Sequence, residues 1–193
     1  MKKPVYLFMF LTVLCQVWSM ELSAQTGTGN VLLSSADGEI SIKSDAPLEL
    51  IEASSNQLKG VIDITGRSFS FSVNNRSFKG FNSQLQQEHF YENYIEAGKY
   101  PQSTFKGKII EQVDLSVDGN YQVRAKGVLN IHGIDQERII KADIKVKGGL
   151  IQVSSSFTVP LSDHNITIPK IVYQKIAEEV MVKVSAGFTR VNK

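Results

Sequence analysis

This 193-residue sequence predicts an all-β fold, an eight-stranded antiparallel β-barrel carrying one or two short helices. Three observations carry the prediction. Apolar and polar residues alternate with a period of two along most of the chain, the pattern of strands with one buried and one wet face. Turn-forming residues break that pattern at short intervals, which favours hairpins between consecutive strands. The strands are polar on one side only, so they share a single core, and closing the meander into a barrel removes its exposed edges. A two-sheet sandwich would bury one face of each strand equally well, and periodicity does not separate the two.

The elements follow in order. Strands are expected near 38–44, 57–64, 68–75, 103–111, 121–132, 137–147, 150–162 and 179–190, with a weaker one over 30–34. In the third, Phe69, Phe71 and Val73 alternate with serines and Asn74. In the fifth, Tyr121, Val123, Ala125, Gly127, Leu129 and Ile131 fall on one face, and in the sixth Ile140, Ala142, Ile144 and Val146 do. Ile151, Val153, Ser155, Phe157 and Val159 continue the pattern. Turn signals stand at Asp37-Gly38, Thr65-Gly66-Arg67, Asp118-Gly119-Asn120, Gly133 to Gln136 and Gly148-Gly149. Two segments leave the period of two. Ser83 and Gln86 form a capping box, after which Leu85, His89, Phe90 and Tyr94 recur at helical spacing to about Ala97. Thr167 before Pro169 opens a second short helix on which Ile168, Val172 and Ile176 share a face.

The first 25 residues read as a secretory signal. Lys2 and Lys3 precede an apolar run from Val5 to Val17, and Ser23-Ala24-Gln25 supplies small residues for cleavage. That run is shorter than the roughly 20 residues a membrane-spanning helix needs. Removing residues 1–25 also removes Cys15 and Trp18, the only cysteine and the only tryptophan, and leaves residues 26–193 as one domain. The expected location is the periplasm. Without cysteines, a core rather than cross-links must stabilise that domain.

Composition narrows the chemistry. With 42% hydrophobic and 21% charged residues the chain is neither disordered, collagenous nor a coiled coil. A formal charge of +2 offers no field for nucleic acid, and Lys141, Lys145 and Lys147 read as a solubilising strand face. No Gly-x-Ser-x-Gly elbow, acid/base carboxylate pair or phosphate-binding Gly-x4-Gly-Lys loop is present, so no catalytic residue is assigned. His89, His132 and His164 lack metal-ligand spacing, and no metal or cofactor is expected.

A barrel of about eight strands is just wide enough either to be filled by its own side chains or to hold a slim ligand. Gly60, Gly107, Ala125, Gly127, Ala142 and Ala186 are interleaved with large residues on the apolar faces. They would either leave room in an apolar lumen, be filled by large opposing residues, or mark strand bends.

Three blocks then carry a resemblance: Gln87-Glu88-His89-Phe90-Tyr91-Glu92-Asn93-Tyr94-Ile95-Glu96, Lys99-Tyr100-Pro101-Gln102-Ser103-Thr104-Phe105-Lys106-Gly107, and Gly127-Val128-Leu129-Asn130-Ile131-His132-Gly133-Ile134. Together with Ser156-Phe157-Thr158-Val159, Asp163, Ile166-Thr167-Ile168-Pro169 and Lys175-Ile176-Ala177-Glu178, they make the chain resemble the YceI-like family of bacterial polyisoprenoid-binding proteins. The sequence departs from the family's pattern at Phe78-Lys79-Gly80-Phe81, where a Phe-x-Phe pair is expected, and at His164, where a Tyr is expected. The resemblance implies a lipocalin-like barrel that carries an isoprenoid lipid or the tail of a quinone. The implied lining is Phe69, Phe71, Phe105, Leu129, Ile131, Ile144, Phe157, Val182 and Phe188, with Phe90 and Tyr94 near an entrance. Such a carrier would touch membranes transiently, and monomer and homodimer both stay open. The competing expectation is a ligand-free envelope-stress or protein-interaction module, recognisable by an apolar patch on the outer wall.

Overall fold

The computed structural model describes residues 31–191. Eight antiparallel strands form a closed barrel in sequence order: β1 (Leu32–Asp45), β2 (Leu50–Asp63), β3 (Ser68–Asn74), β4 (Gln102–Ile109), β5 (Gly119–Ile131), β6 (Ile134–Lys147), β7 (Leu150–Pro160) and β8 (Glu179–Arg190). The ladder between β1 and β8, from Leu33↔Arg190 to Lys43↔Met181, closes the barrel and decides against the sandwich. Residues 1–25, read from the sequence as a secretory signal, lie outside the described residues.

Four sequence expectations are corrected. The weak strand at 30–34 and the one at 38–44 are a single strand, and Asp37-Gly38 is a bulge within it, not a turn. Gly38 lets the bulge pack closely, since a Cβ would stand 3.0 Å from both Ala186 Cβ and the Leu58 carbonyl oxygen. β2 starts seven residues before its expected position, because pairing with β1 (Lys43↔Glu52, Ile40↔Ser55) holds the polar run Glu52 to Asn56 in the sheet despite weak strand propensity. The turn expected at Gly133 to Gln136 is the tighter pair His132-Gly133, both at positive φ (52° and 73°), flanked by Ile131↔Ile134. The second helix reduces to a three-residue 3-10 turn, Lys170–Val172. Its cap position is Pro169, whose side chain caps nothing, and Ile171 on the turn faces solvent. We call residues 165–178 the strap.

The predicted capping box does start a helix, α1 (Gln84–His89), with the Gln86 N–H donating to Ser83 Oγ at 3.2 Å. Gln86 reaches back one residue further than expected, accepting from the Asn82 N–H. α1 runs into a π-helical turn, Phe90–Tyr94, closed by the Ile95 N–H donating to the Phe90 carbonyl.

The barrel wall divides at its upper end in two places. The β2–β3 ladder spans only Lys59↔Ser72 to Asp63↔Ser68. Above it residues 75–100 fill the gap, tied to β2 by paired backbone bonds between Ser54 and Lys79 (2.8 Å each). The β6–β7 ladder likewise stops at Asp143↔Ser154. Beyond it the strands are bridged by side chains: Ser155 Oγ donates to the Lys141 carbonyl (2.7 Å) and Arg138 Nη2 to that of Thr158 (2.7 Å).

The lower end is shut. Leu115 and Val113, from the β4–β5 loop, pack into one cluster with Leu33, Val146, Ile151 and Phe188. The Asp118 carboxylate pins that loop to the β6–β7 turn by accepting the Gly148 N–H at 3.0 Å. Buried aliphatic and aromatic residues thus close the floor, while the upper divisions leave the interior open to the segments that cap it.

Candidate functional site: an apolar lumen

A cavity of about 510 Å³ occupies the barrel above this floor. Inward residues of every strand line it, because each ladder preserves the alternation read from the sequence. Phe69, Phe71, Phe105, Leu129, Ile131, Ile144, Phe157 and Val182 line the wall, and Phe90 and Tyr94 descend from the helical segment. Phe188 does not line the cavity: it is buried in the floor, edge-on to Phe71 with ring centroids 5.8 Å apart. Its register was legible in the sequence, but the height at which the floor closes was not.

The small inward residues divide between the alternatives. Ala125 and Ala142 line the cavity and leave it room. Gly60 does not, since a Cβ there would meet the rings of Phe188 and Phe71 at under 3 Å. Gly107 and Gly127 face each other across β4 and β5, and a Cβ on either would run into the partner strand's backbone. Ala186 belongs to the buried core.

Polar groups in the lining are mostly engaged by the protein itself. Buried Asn75 donates to the Tyr100 carbonyl (2.8 Å) and accepts from Ser103 Oγ (2.9 Å). Ser44 accepts the Ala177 N–H at 2.8 Å, and Glu49 accepts from Gln86 Nε2 at 2.9 Å. The interior surface is therefore apolar in effect. Tyr94 differs: burial alone raises the pKa of its phenol above the ordinary value, so it stays a neutral hydroxyl.

Four lining residues are solvent-exposed, Ser83, Leu85, His89 and Lys175. They place the mouth between α1 and the strap. The strap is held beside the β1–β2 turn by the Leu48 N–H, which donates to the Gln174 carbonyl at 2.9 Å, and by the Ser44 bond to Ala177.

Opposite that opening, a polar cluster seals the top. His132 Nδ1 donates to the carbonyl of His164 (3.0 Å), and its Nε2 meets the Glu96 carboxylate. Tyr100 stacks edge-on against His132, while Arg138 pairs with Asp163 at 3.1 Å. His164 is fully buried and outside the lining; Nδ1 donates to the Ile134 carbonyl at 3.2 Å, and Nε2 has no partner. Among the described residues no three His, Cys, Asp or Glu side chains gather as metal ligands. Sequence reasoning missed this seal because Glu96 and His132 both take positive φ (44° and 52°), a conformation that nothing in their side-chain types announces.

A family model for the YceI-like domain matches residues 19–188. The chain belongs to the YceI-like domain family. Its fold is shared with solved structures of low sequence identity. A polyisoprenoid binding domain from Saccharophagus degradans, implicated in plant cell wall breakdown, superimposes with a TM-score of 0.69 at 14% identity, covering 84% of this chain and 99% of that one. BcnA of Burkholderia cenocepacia gives 0.66 at 17% identity, covering 79% and 96%. The Campylobacter jejuni YceI protein gives 0.57 at 15% identity, covering 73% and 85%. No curated protein matches in sequence. In this YceI-like domain the two departures from the family pattern land in different places: Phe81 lines the lumen and Phe78 is buried against Phe90, whereas His164 supports the seal.

Proposed function

We propose that this YceI-like domain carries or stores an isoprenoid lipid in the periplasm, with the chain in the lumen and the polar end at the mouth. The observation that carries the reading is the apolar cavity of about 510 Å³ with a single rim of exposed lining residues. Its volume falls in the roughly 300–1,000 Å³ range of small-molecule sites. Burying a hydrocarbon chain there yields about 25 cal/mol per Å² and demands no directional partner, which suits a lining most of whose hydrogen-bonding groups below the mouth are already engaged. At the mouth, Lys175 and His89 offer cationic or hydrogen-bonding partners, and the Tyr94 hydroxyl offers a donor. A polyprenyl phosphate and a quinone tail both match that division. The polyisoprenoid binding described for the Saccharophagus degradans relative supports the cargo class. Carriage is favoured because every strand contributes apolar side chains to the lining below the mouth, which suits a hydrocarbon chain.

The wall reading of a ligand-free interaction module has less support, since four of the five large hydrophobic side chains that are at least 60% exposed surround the mouth. The test is gentle purification from the native periplasm, followed by native mass spectrometry and organic extraction. The carrier reading expects a mass excess near one per chain that extracts as a polyprenyl or quinone species. A clean mass, with no change in melting temperature when polyprenyl phosphate or quinone is added, overturns it.

A further inference from the structure

Among the described residues, five large hydrophobic side chains are at least 60% exposed: Leu48, Leu85, Leu150, Ile171 and Tyr173. Leu150 stands alone beside the β6–β7 turn, at the shut end. The other four surround the mouth. Leu85 is on its α1 rim, Leu48 sits in the β1–β2 turn bonded to the strap, and Ile171 and Tyr173 flank the lining residue Val172. Ile171 is 91% exposed, an unusual position for one of the residue types most often buried.

The strap carries its charge unevenly: Lys170 and Lys175 bracket Ile171-Val172-Tyr173 at its tip, and its one acidic residue, Glu178, stands at its far end against β8. Neither lysine takes part in an ion pair among the described residues. An apolar tip with a tyrosine and flanking lysines suits a membrane interface: aliphatic groups enter the acyl boundary, the phenol lies at head-group level, and the ammonium groups meet anionic phosphates. The acidic residues near the mouth, Asp45, Glu49, Glu88 and Glu92, stand at the β1–β2 turn and on the helical segment, so the most exposed apolar tip, Ile171 with Tyr173, is the one flanked by cations, and that pairing favours anionic lipid.

We propose that the strap, with Leu48 and Leu85, docks the mouth onto an anionic lipid bilayer, so that cargo passes between membrane and lumen without crossing water. This rests on the carrier reading of the lumen, but docking is measured without cargo. Residues 26–193 hold all eight strands and contain no tryptophan, so Tyr173→Trp gives a single reporter on the rim. Vesicles of phosphatidylglycerol and phosphatidylethanolamine, free of isoprenoid, are titrated into it. Docking predicts a blue shift in emission, quenching by brominated lipid, and binding weakened about tenfold or more by adding Ile171→Asp or Lys170→Glu. Emission that vesicles leave unmoved overturns the proposal, as does binding that survives both substitutions. A blue shift that instead follows protein concentration without vesicles overturns it in favour of self-association. Cargo in a protein that does not dock defeats docking alone; docking by a protein that carries no cargo defeats the carrier reading alone.

Discussion

His164 is held neutral by its surroundings. Burial lowers its pKa below the ordinary 6.5, and the carbonyls of Ile134 and Ile131 offset only part of that effect. The unfolded chain therefore binds a proton near pH 6.5 that the folded chain refuses, so stability from this residue is present above that pH and is lost as pH falls below it. His164→Gln keeps a donor for Ile134 but cannot titrate. Its denaturation midpoint should depend less on pH between 7 and 5 than the parent's, at a cost of about 1 kcal/mol at pH 7. Ala142 makes a complementary case inside the lumen. Ala142→Phe should leave the chain folded while cutting recovered cargo about tenfold or more, because the ring occupies space the ligand needs; extraction and mass spectrometry of the variant read this directly. Residues such as Phe69, Phe105 and Leu129 were legible in the sequence because alternation sets their face. The Glu96–His132 contact was not, since it joins residues 36 apart through two left-handed backbone positions.

The β4–β5 pair shows why glycine content alone misleads. Gly107 and Gly127 are opposite one another, and a Cβ on Gly107 would lie 2.1 Å from the Lys126 carbonyl oxygen. That obstacle is backbone, which cannot turn aside as a side chain can. Gly107→Ala should destabilise the barrel by about 3 kcal/mol or more, read as a lowered urea midpoint, whereas Gly187→Ala, with nothing near its Cβ, should change it little. The same comparison explains what could be read of the elements beforehand. The strands β5 to β8 were legible because long amphipathic runs have one solution. The first half of β2 was hidden by its serines, and the strap was misread as a helix because Ile168, Val172 and Ile176 sit at helical spacing but pack without a cap.

With Cys15 as its only cysteine, the folded domain depends on packing around a cavity it does not fill. Cargo should therefore contribute to stability: binding to the folded state alone adds RT ln(1 + [L]/Kd), about 2.7 kcal/mol at a hundredfold excess over Kd. Extracting the lipid should lower the melting temperature, and adding it back should restore it; calorimetry before and after extraction checks this. The eight-strand closure was legible as a whole, because one-sided strands joined by short turns leave few ways to hide their edges. The division between β6 and β7 was not, since both strands keep their alternation through it. That division sets the barrel's girth. Where a ladder joins two strands, their spacing is fixed near 4.8 Å by the peptide groups. Above Asp143 and Ser154 the spacing instead follows the reach of Arg138 and Ser155. The upper circumference is thus written in side-chain length, and a lineage can retailor it to thicker or thinner cargo by ordinary point substitution, with no strand added and no register changed.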